Sequence, residues 1–425
     1  MTSIADTASP RESVFSIEQS AVRFGPGALA EVGQEAAALG LGRVLLVTDP
    51  RVRRQTAFDT VASALGAAGI AVTIFDRIAV EPTDSAMQAA ARAAIEADVD
   101  GFVSLGGGST MDTAKAANLL ASYPAPLTDY VSAPAGLARP VPGPLKPHIA
   151  CPTTFGTGSE STGILIVDLT AEGVKTGVVS RRIRPSLAVL DPTTLTSLPA
   201  PVMAANGFDV LCHAIESVTA RPFSQRPRPA SAALRPLSQG ANPYSAFAAL
   251  EAIRLVTANL EPAFRTGDPE ALERLMLAGM LAGIGFGNAG CHLPHAMSYP
   301  VAALVRDFRP EGWNADHALV PHGIAVAVNA PAALRWSGRV APERMALVAD
   351  ALGLADTATP GDAVADALST LMRRTGLPVG LTELGFARSD LPLLAEGALR
   401  QRRLTDNAPQ APTQADFEAM YAEAL

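Results

Sequence analysis

Short apolar runs alternate with Ala-rich helical stretches from about residue 14 to residue 195. Gly42–Thr48, Gly69–Phe75, Gly101–Leu105 and His148–Cys151 are each too short for a helix and rich in strand-forming residues, so they read as strands. Ala-rich segments such as Ser85 to Ala97 lie between them as helices. Strands that are apolar throughout, rather than alternating, are buried on both faces. Together with intervening helices they predict a mostly parallel sheet covered on both sides. After about Leu198 the pattern turns almost wholly helical: Pro201 to Thr219, Pro243 to Thr257, Pro269 to Phe286, and the segments from Ala341 onward. The pattern therefore predicts an α/β domain over 14–198 and an all-helical domain over 199–425. Arg221 to Asn242 carries Pro222, Pro227, Pro229 and Pro236 and few large apolar residues, which excludes a regular helix and predicts a surface loop. The first dozen residues read as a disordered lead.

Composition narrows the class. A chain of 425 residues holds two or three domains, and 48% hydrophobic with 17% charged residues describes a packed globular protein. A net charge of -8 argues against nucleic acid or an anionic membrane as partner. No apolar run reaches the roughly 20 residues that span a bilayer. Cys151, Cys212 and Cys291 show no CxxC spacing, so reduced thiols are expected. The N-terminus has neither a basic start nor an apolar signal core. These features together set the expectation of a soluble, cytoplasmic protein.

The chemistry is concentrated in a few residues. Four of the six histidines, His292, His295, His317 and His322, crowd into one stretch. A fifth, His213, lies four residues after Asp209, so on a helix both side chains leave the same face. One carboxylate with several imidazoles suits a divalent first-row metal. The plain competing account makes each histidine an ordinary core or surface residue. Leu105-Gly106-Gly107-Gly108-Ser109-Thr110 joins a strand to a helix. Its glycines allow positive φ and close approach of backbone N–H groups to an anion, and the helix N-terminus adds partial positive charge. A pyrophosphate is expected there, although the spacing is neither GxGxxG nor a Walker A loop. Pro152-Thr153-Thr154-Phe155-Gly156-Thr157-Gly158-Ser159-Glu160 follows another strand and offers hydroxyls to ribose, phosphate or nicotinamide. Asp49, at the end of the Val44–Thr48 strand, can accept from an adenosine ribose and repel a 2′-phosphate, favouring NAD over NADP. It can equally be a turn residue before Pro50.

Taken together, Gly106-Gly107-Gly108-Ser109 with Asp112 and Lys115, the Pro152–Glu160 run, Asp209-x-x-x-His213-Ala-x-Glu216 and Pro321-His322-Gly323 resemble the iron-containing (group III) alcohol dehydrogenase family. The likeness runs from about residue 14 to the C-terminus. Val80–Asp84, Asp129–Pro134, Gly283–Gly290 followed by His292 and His295, Met297–Pro300 and Asp316-His317 look like the branch of that family that moves hydride between a 4-hydroxy acid and a 2-oxo acid. The resemblance implies a Rossmann-like dinucleotide-binding domain followed by a helical metal-binding domain, with the active site between them. It implies NAD held at Asp49, Gly107, Gly108, Ser109, Asp112, Thr153 and Thr154. It implies Fe²⁺, with Zn²⁺ as the alternative, held by Asp209, His213, His295 and His322. Family members often carry His-x-x-x-His beginning at the position of His295; here Tyr299 stands in second place. Tyr299 or His292 is then the expected proton relay, and His317 has a structural role.

The expected partners are a hydroxy acid or alcohol and an oxo acid or aldehyde, with a homo-oligomer implied by the family. An acidic substrate needs a cation, for which Arg306, Arg309 and Lys146 are candidates. Three other readings compete. A plain NAD-dependent alcohol dehydrogenase would exchange its cofactor at each turnover. A lyase resembling dehydroquinate synthase would need a basic phosphate-binding cluster that the sequence does not display. A silent binding protein would have no use for the metal set.

Overall fold

The computed structural model describes residues 11–78, 80–313, 317–354 and 357–425. The predicted lead lies outside them for residues 1–10. Arg11 and Glu12, the next in line, are ordered: Arg11 bridges Pro227, and the nearly buried Glu12 pairs with Arg235 at 3.0 Å.

Six strands form one parallel sheet: β1 (Ala21–Phe24), β2 (Arg43–Thr48), β3 (Ala71–Phe75), β4 (Gly101–Gly106), β5 (His148–Pro152) and β8 (Leu187–Leu190). Their spatial order is β1-β8-β5-β4-β2-β3, and every neighbouring pair runs parallel. Side chains alternate between two cores. Leu45 and Val47 join Phe102 and Met87 on one face, while Val44 and Leu46 join Val103, Phe58 and Val61 on the other. Burial on both faces is why β2, β4 and β5 read as unbroken apolar runs. The chain leaves β2 for β3 on one side and returns to β4 on the other. The loops after β2 and β4 therefore diverge, opening the crevice in which open α/β sheets bind ligands.

β6 (Ile164–Leu169) and β7 (Val174–Val179) form a separate antiparallel hairpin that the apolar pattern did not bring out. The short edge strand β1 and its equally short neighbour β8 also went unread. No named strand follows Leu190 among the described residues. Long helices begin at Ala200: Ala200–Thr219, Pro243–Thr266, Pro269–Ala289, Leu293–Ala303 and His322–Val340 surround a third core. The predicted loop 221–242 holds only two short 3₁₀ turns. From Gly207 to Thr219 the first of these helices is buried on all sides. A helix enclosed that way is normally apolar throughout, yet this one carries Asp209, His213 and Glu216 into the interior. No single helix among the described residues is long and apolar enough to cross a membrane. One pair, Pro269–Ala289 with Leu293–Ala303, meets the length and composition together, bent by 99°.

Candidate metal and cofactor site

Helix periodicity places Asp209, His213 and Glu216 along one inward stripe at i, i+4 and i+7. His295 comes from the helix Leu293–Ala303, and His322 opens the helix His322–Val340. One ligand atom each from Asp209, His295 and His322 lie within 4.8 Å of one another. Asp209 Oδ1 is 3.4 Å from His295 Nε2, 3.7 Å from His322 Nε2 and 3.8 Å from His213 Nδ1. His213 also belongs to a second, overlapping trio with Cys291 and His295. Its ring stacks on Phe286 with centroids 3.9 Å apart, and its Nδ1 lies 3.2 Å from the Gly156 carbonyl. Nδ1–H donates to that carbonyl, so the Nε2 lone pair is left to ligate.

The residues present suit a divalent ion. Asp209 Oδ1 and His295 Nε2 are buried and have no hydrogen-bond partner, which is costly unless something else satisfies them. Burial pushes the pKa of His213 down to about 4 and that of His322 down to about 3, so both imidazoles are neutral with lone pairs available. Burial opposes ionisation of Asp209, but the facing His213, His322 and His295 outweigh it and hold the carboxyl below its ordinary range. Glu216 Oε1 accepts from His295 Nδ1 at 2.5 Å, and Glu216 Oε2 accepts from the backbone N–H of His292. A carboxylate behind the imidazole fixes the tautomer that points Nε2 at the ion. The sequence quoted Glu216 without a role; its i+3 spacing from His213 was the available signal.

The cofactor side is built from the loops after β4 and β5. Gly107 precedes the helix Gly108–Ser122. None of Gly106, Gly107 and Gly108 has a positive φ, so the expectation of left-handed backbone there is corrected. Close approach is what demands glycine: a Cβ on Gly108 would meet Thr157 Cγ2 at 2.8 Å, and one on Gly106 would meet Thr110 Oγ1 at 2.4 Å. Thr153 N–H donates to the Gly106 carbonyl at 3.0 Å, locking the two loops together. Thr154 Oγ1 is buried without a hydrogen-bond partner beside Gly107. Asp49 Oδ1 caps its own turn, accepting from the N–H groups of Arg51 and Val52 at 2.9 Å each, as the turn reading had it.

Asp112 is a different case. Ser159 donates to its Oδ1 at 2.5 Å and Ile166 N–H to its Oδ2 at 2.9 Å, while Lys115 stands 3.7 Å away. Oδ1 thus ties the cofactor-side helix to the loop after β5 and Oδ2 ties it to β6, while Asp112 itself lines a cavity together with Gly108 and Ser109.

Gly108, Ser109, His213, His295, His322 and Tyr299 all wall one cavity of about 140 Å³. His292 does not. It is fully buried, with Nε2 donating to Thr219 Oγ1 at 2.8 Å while that hydroxyl donates onward to Ile215 O. A ring locked in the helical core cannot reach substrate, so the relay expectation for His292 is corrected. Tyr299 is on the wall, its ring edge-on to His322 at 6.4 Å. His317 is exposed and away from the cavity, and Asp316 lies outside the described residues.

The anticipated substrate cations are elsewhere as well. Arg306 pairs with Asp390 at 2.5 Å, Lys146 donates to the Val99 carbonyl, and neither these two nor Arg309 lines the cavity. Arg403 and the Lys175–Glu81 pair line it instead.

Comparisons with known proteins agree with this geometry. Residues 19–192 match the iron-containing alcohol dehydrogenase family, and residues 236–425 match the C-terminal part of the Fe-containing alcohol dehydrogenase family. The chain is 42% identical to the mitochondrial hydroxyacid-oxoacid transhydrogenase of Bos taurus, over 97% of this chain and 90% of the relative. The identity is also 42% to the enzyme of that name from Homo sapiens, with the same coverage. A solved 1,3-propanediol oxidoreductase superposes with a TM-score of 0.85 at 30% identity, over 97% of this chain and 100% of the other. A sulfoacetaldehyde reductase from Bifidobacterium kashiwanohense, solved with NAD⁺, superposes with a TM-score of 0.80 at 27% identity, over 97% and 99%.

The mitochondrial names of these relatives overturn the cytoplasmic expectation. Its grounds were reduced thiols and a globular composition, which a protein of the mitochondrial interior shares. Sequence matches on both sides of the cavity, together with the superposed folds, make this chain a member of the iron-containing alcohol dehydrogenase family and an oxidoreductase acting on CH–OH groups.

Proposed function

We propose that the enzyme moves hydride between a 4-hydroxy acid and a 2-oxo acid through NAD that it keeps between half-reactions. The observation that carries this is the single cavity on which the glycine turn and the metal-ligand cluster both open. The proposed ligand set is Asp209, His213, His295 and His322, for Fe²⁺ or Zn²⁺. A divalent ion held there supplies Lewis acidity, lowering the pKa of a substrate hydroxyl and polarising a substrate carbonyl. NAD supplies the hydride acceptor.

The chain's own residues do the rest. Gly107, Gly108 and Ser109 present backbone N–H groups and a helix N-terminus to the pyrophosphate. Thr153 and Thr154 face the same cradle, and the unpartnered Thr154 hydroxyl is ready to bond the dinucleotide. Asp49 borders the crevice after β2, and its carboxylate disfavours a 2′-phosphate. Phe286 and the half-buried hairpin residue Ile164 keep the reacting end dry. Tyr299 carries the hydroxyl proton between substrate and the open side of the cavity. The domain division proposed with this function places cofactor residues in 14–198 and metal ligands in 199–425.

The relatives named as transhydrogenases support the hydroxy acid and oxo acid pair. The test is made on protein as purified. Mass spectrometry should find NAD and a first-row metal travelling with it. 4-Hydroxybutyrate should be oxidised without added NAD only when a 2-oxo acid is present. Turnover that instead requires added NAD and ignores the oxo acid would establish the exchangeable-cofactor dehydrogenase.

A further inference from the structure

The cavity has two cations on its wall, and they differ in one respect. Lys175 is paired with Glu81, which also lines the cavity, so its charge is spent locally. Arg403 forms no ion pair and no hydrogen bond among the described residues. Its neighbours are engaged: Arg400 pairs with Glu396 at 2.5 Å and Arg402 with Asp406 at 3.2 Å. Arg403 lines both this cavity and a larger one beside it, with Tyr299 and Lys175 common to the two.

A second group stands unsatisfied on the same wall. Ser238 Oγ is buried and has no hydrogen-bond partner. Ser238 packs on Gly290, where an added Cβ would meet Ser238 Cβ at 2.9 Å. The next residue, Cys291, shares a ligand trio with His213 and His295. Ser238, Gly290, Cys291 and Arg403 thus line one cavity, next to the metal ligands.

We propose that Arg403 and Ser238 form a clasp for the carboxylate of the substrate, setting specificity for alcohols and carbonyls that carry an acid group at the end of a short chain. A guanidinium offers a planar fork that matches a carboxylate, and a hydroxyl beside it satisfies a remaining lone pair. With the substrate oxygen at the metal ligands and the carboxylate at the clasp, one orientation is selected. Neutral alcohols gain nothing from the clasp. No bond to Arg403 or Ser238 forms or breaks in the reaction, so the clasp acts on binding. The substrate class rests on the reading given under Proposed function, whereas the anion site itself does not.

The experiment uses metal- and cofactor-loaded enzyme carrying Arg403→Gln, Arg403→Lys or Ser238→Ala. 4-Hydroxybutyrate is compared with its neutral amide, 4-hydroxybutanamide, and butyrate serves as a binding probe that cannot react. Arg403→Gln should raise KM for 4-hydroxybutyrate about tenfold or more, with the loss in KM rather than kcat. KM for the amide should stay within about twofold, and butyrate should bind about tenfold more weakly by calorimetry. Arg403→Lys should restore part of the loss. Ser238→Ala should give a smaller rise confined to the acid. Equal losses on acid and amide, or unchanged butyrate affinity in Arg403→Gln, would overturn the clasp. If unaltered enzyme fails to couple 4-hydroxybutyrate to a 2-oxo acid, the functional reading falls, and the butyrate measurement still decides the clasp by itself.

Discussion

Glu216→Gln is the sharpest probe of the metal centre, because it changes almost no volume and touches neither substrate nor ion. Glu216 is fully buried and accepts at both oxygens, from His295 Nδ1 at 2.5 Å and from His292 N–H. Glutamine has one acceptor and one donor. The His292 backbone can only donate, so it claims the amide oxygen. The amide NH₂ then faces His295 Nδ1 and forces that nitrogen to accept, which moves the imidazole proton to Nε2. Nε2 is the atom that lies 3.4 Å from Asp209 Oδ1 and must be unprotonated to ligate. The variant has two courses: to keep the wrong tautomer, or to keep a donor–donor contact in a dry interior. Either costs a buried charge-assisted hydrogen bond, about 1.5–3 kcal/mol, which corresponds to roughly ten- to hundredfold in metal affinity. Competition with a coloured chelator at equilibrium measures the affinity, and a thermal melt of metal-free protein shows that the fold persists. A variant that stays folded and binds metal within twofold of the parent would refute the tautomer argument.

Other outcomes follow from the same geometry. Asp209→Ala removes the carboxylate shared by three imidazoles; metal analysis should show loss of the ion and turnover should vanish, while circular dichroism stays that of a folded protein. Gly108→Val drives a side chain into Thr157, whose Cγ2 is 2.8 Å from the position of a Cβ; dinucleotide titration should show no binding with metal content unchanged. Tyr299→Phe should lower kcat by about a hundredfold at unchanged metal content, since relay by a positioned acid–base group is worth that much or more; kcat within twofold would remove Tyr299 from the relay. Glu160 is buried, and burial raises its pKa from 4.5 to about 7. Between these two values the folded protein holds a proton that the unfolded chain has released, so stability falls as pH rises through the window and levels off above it. Glu160→Gln should flatten that stretch of a melting-temperature–pH curve and gain up to about 3 kcal/mol at pH 8. An unchanged slope would show that Glu160 is already relieved of its burial cost.

What could be read from the sequence was whatever a short window encodes. β2, β4 and β5 were visible because both faces of each are buried, β3 because it is rich in β-branched and aromatic residues, and the helix Ala200–Thr219 because its apolar pattern is long. The i, i+4 spacing of Asp209 and His213 is a property of a single helix and needed no tertiary knowledge. The β6–β7 hairpin was missed because Lys175 and Gly177 dilute its apolar signal, Lys175 lining the cavity and Gly177 standing where a Cβ would meet the Leu165 carbonyl at 2.3 Å. The contacts of Asp112 and His292 were illegible for one reason: a polar residue beside a motif looks functional until its partners are known. Their partners, Ile166 N–H and Ser159 in one case and Thr219 and Glu216 in the other, are 47 to 76 residues away in the chain. Arg403 was hidden in the opposite way. Sequence displays several arginines equally, and only the structure shows which of them are already paired.

The loop after β5 explains how two separately legible halves come to share one reaction centre. Its Gly156 accepts from His213 through the carbonyl and from Asn206 Oδ1 receives an acceptor for its own N–H at 2.9 Å, so a cofactor-side backbone orients a metal-side imidazole. Two residues on, Gly158 has φ +59° and presses against the helix Pro269–Ala289, where an added Cβ would stand 2.9 Å from Gly283 Cα. On that helix a Cβ at Gly279 would meet the Phe155 carbonyl at 2.1 Å. Phe286 Cε1 stands 2.8 Å from the Gly158 Cβ position, so an aromatic ring and two backbones close the gap and leave no room for a side chain on Gly158. Hydride transfer needs the reacting atoms held about 3–3.5 Å apart, and a misplacement of 1 Å is costly. A seam made of glycine contacts fixes the spacing between dinucleotide cradle and metal ligands, and Phe155–Gly158 is therefore as much a part of the reaction centre as the ligands themselves.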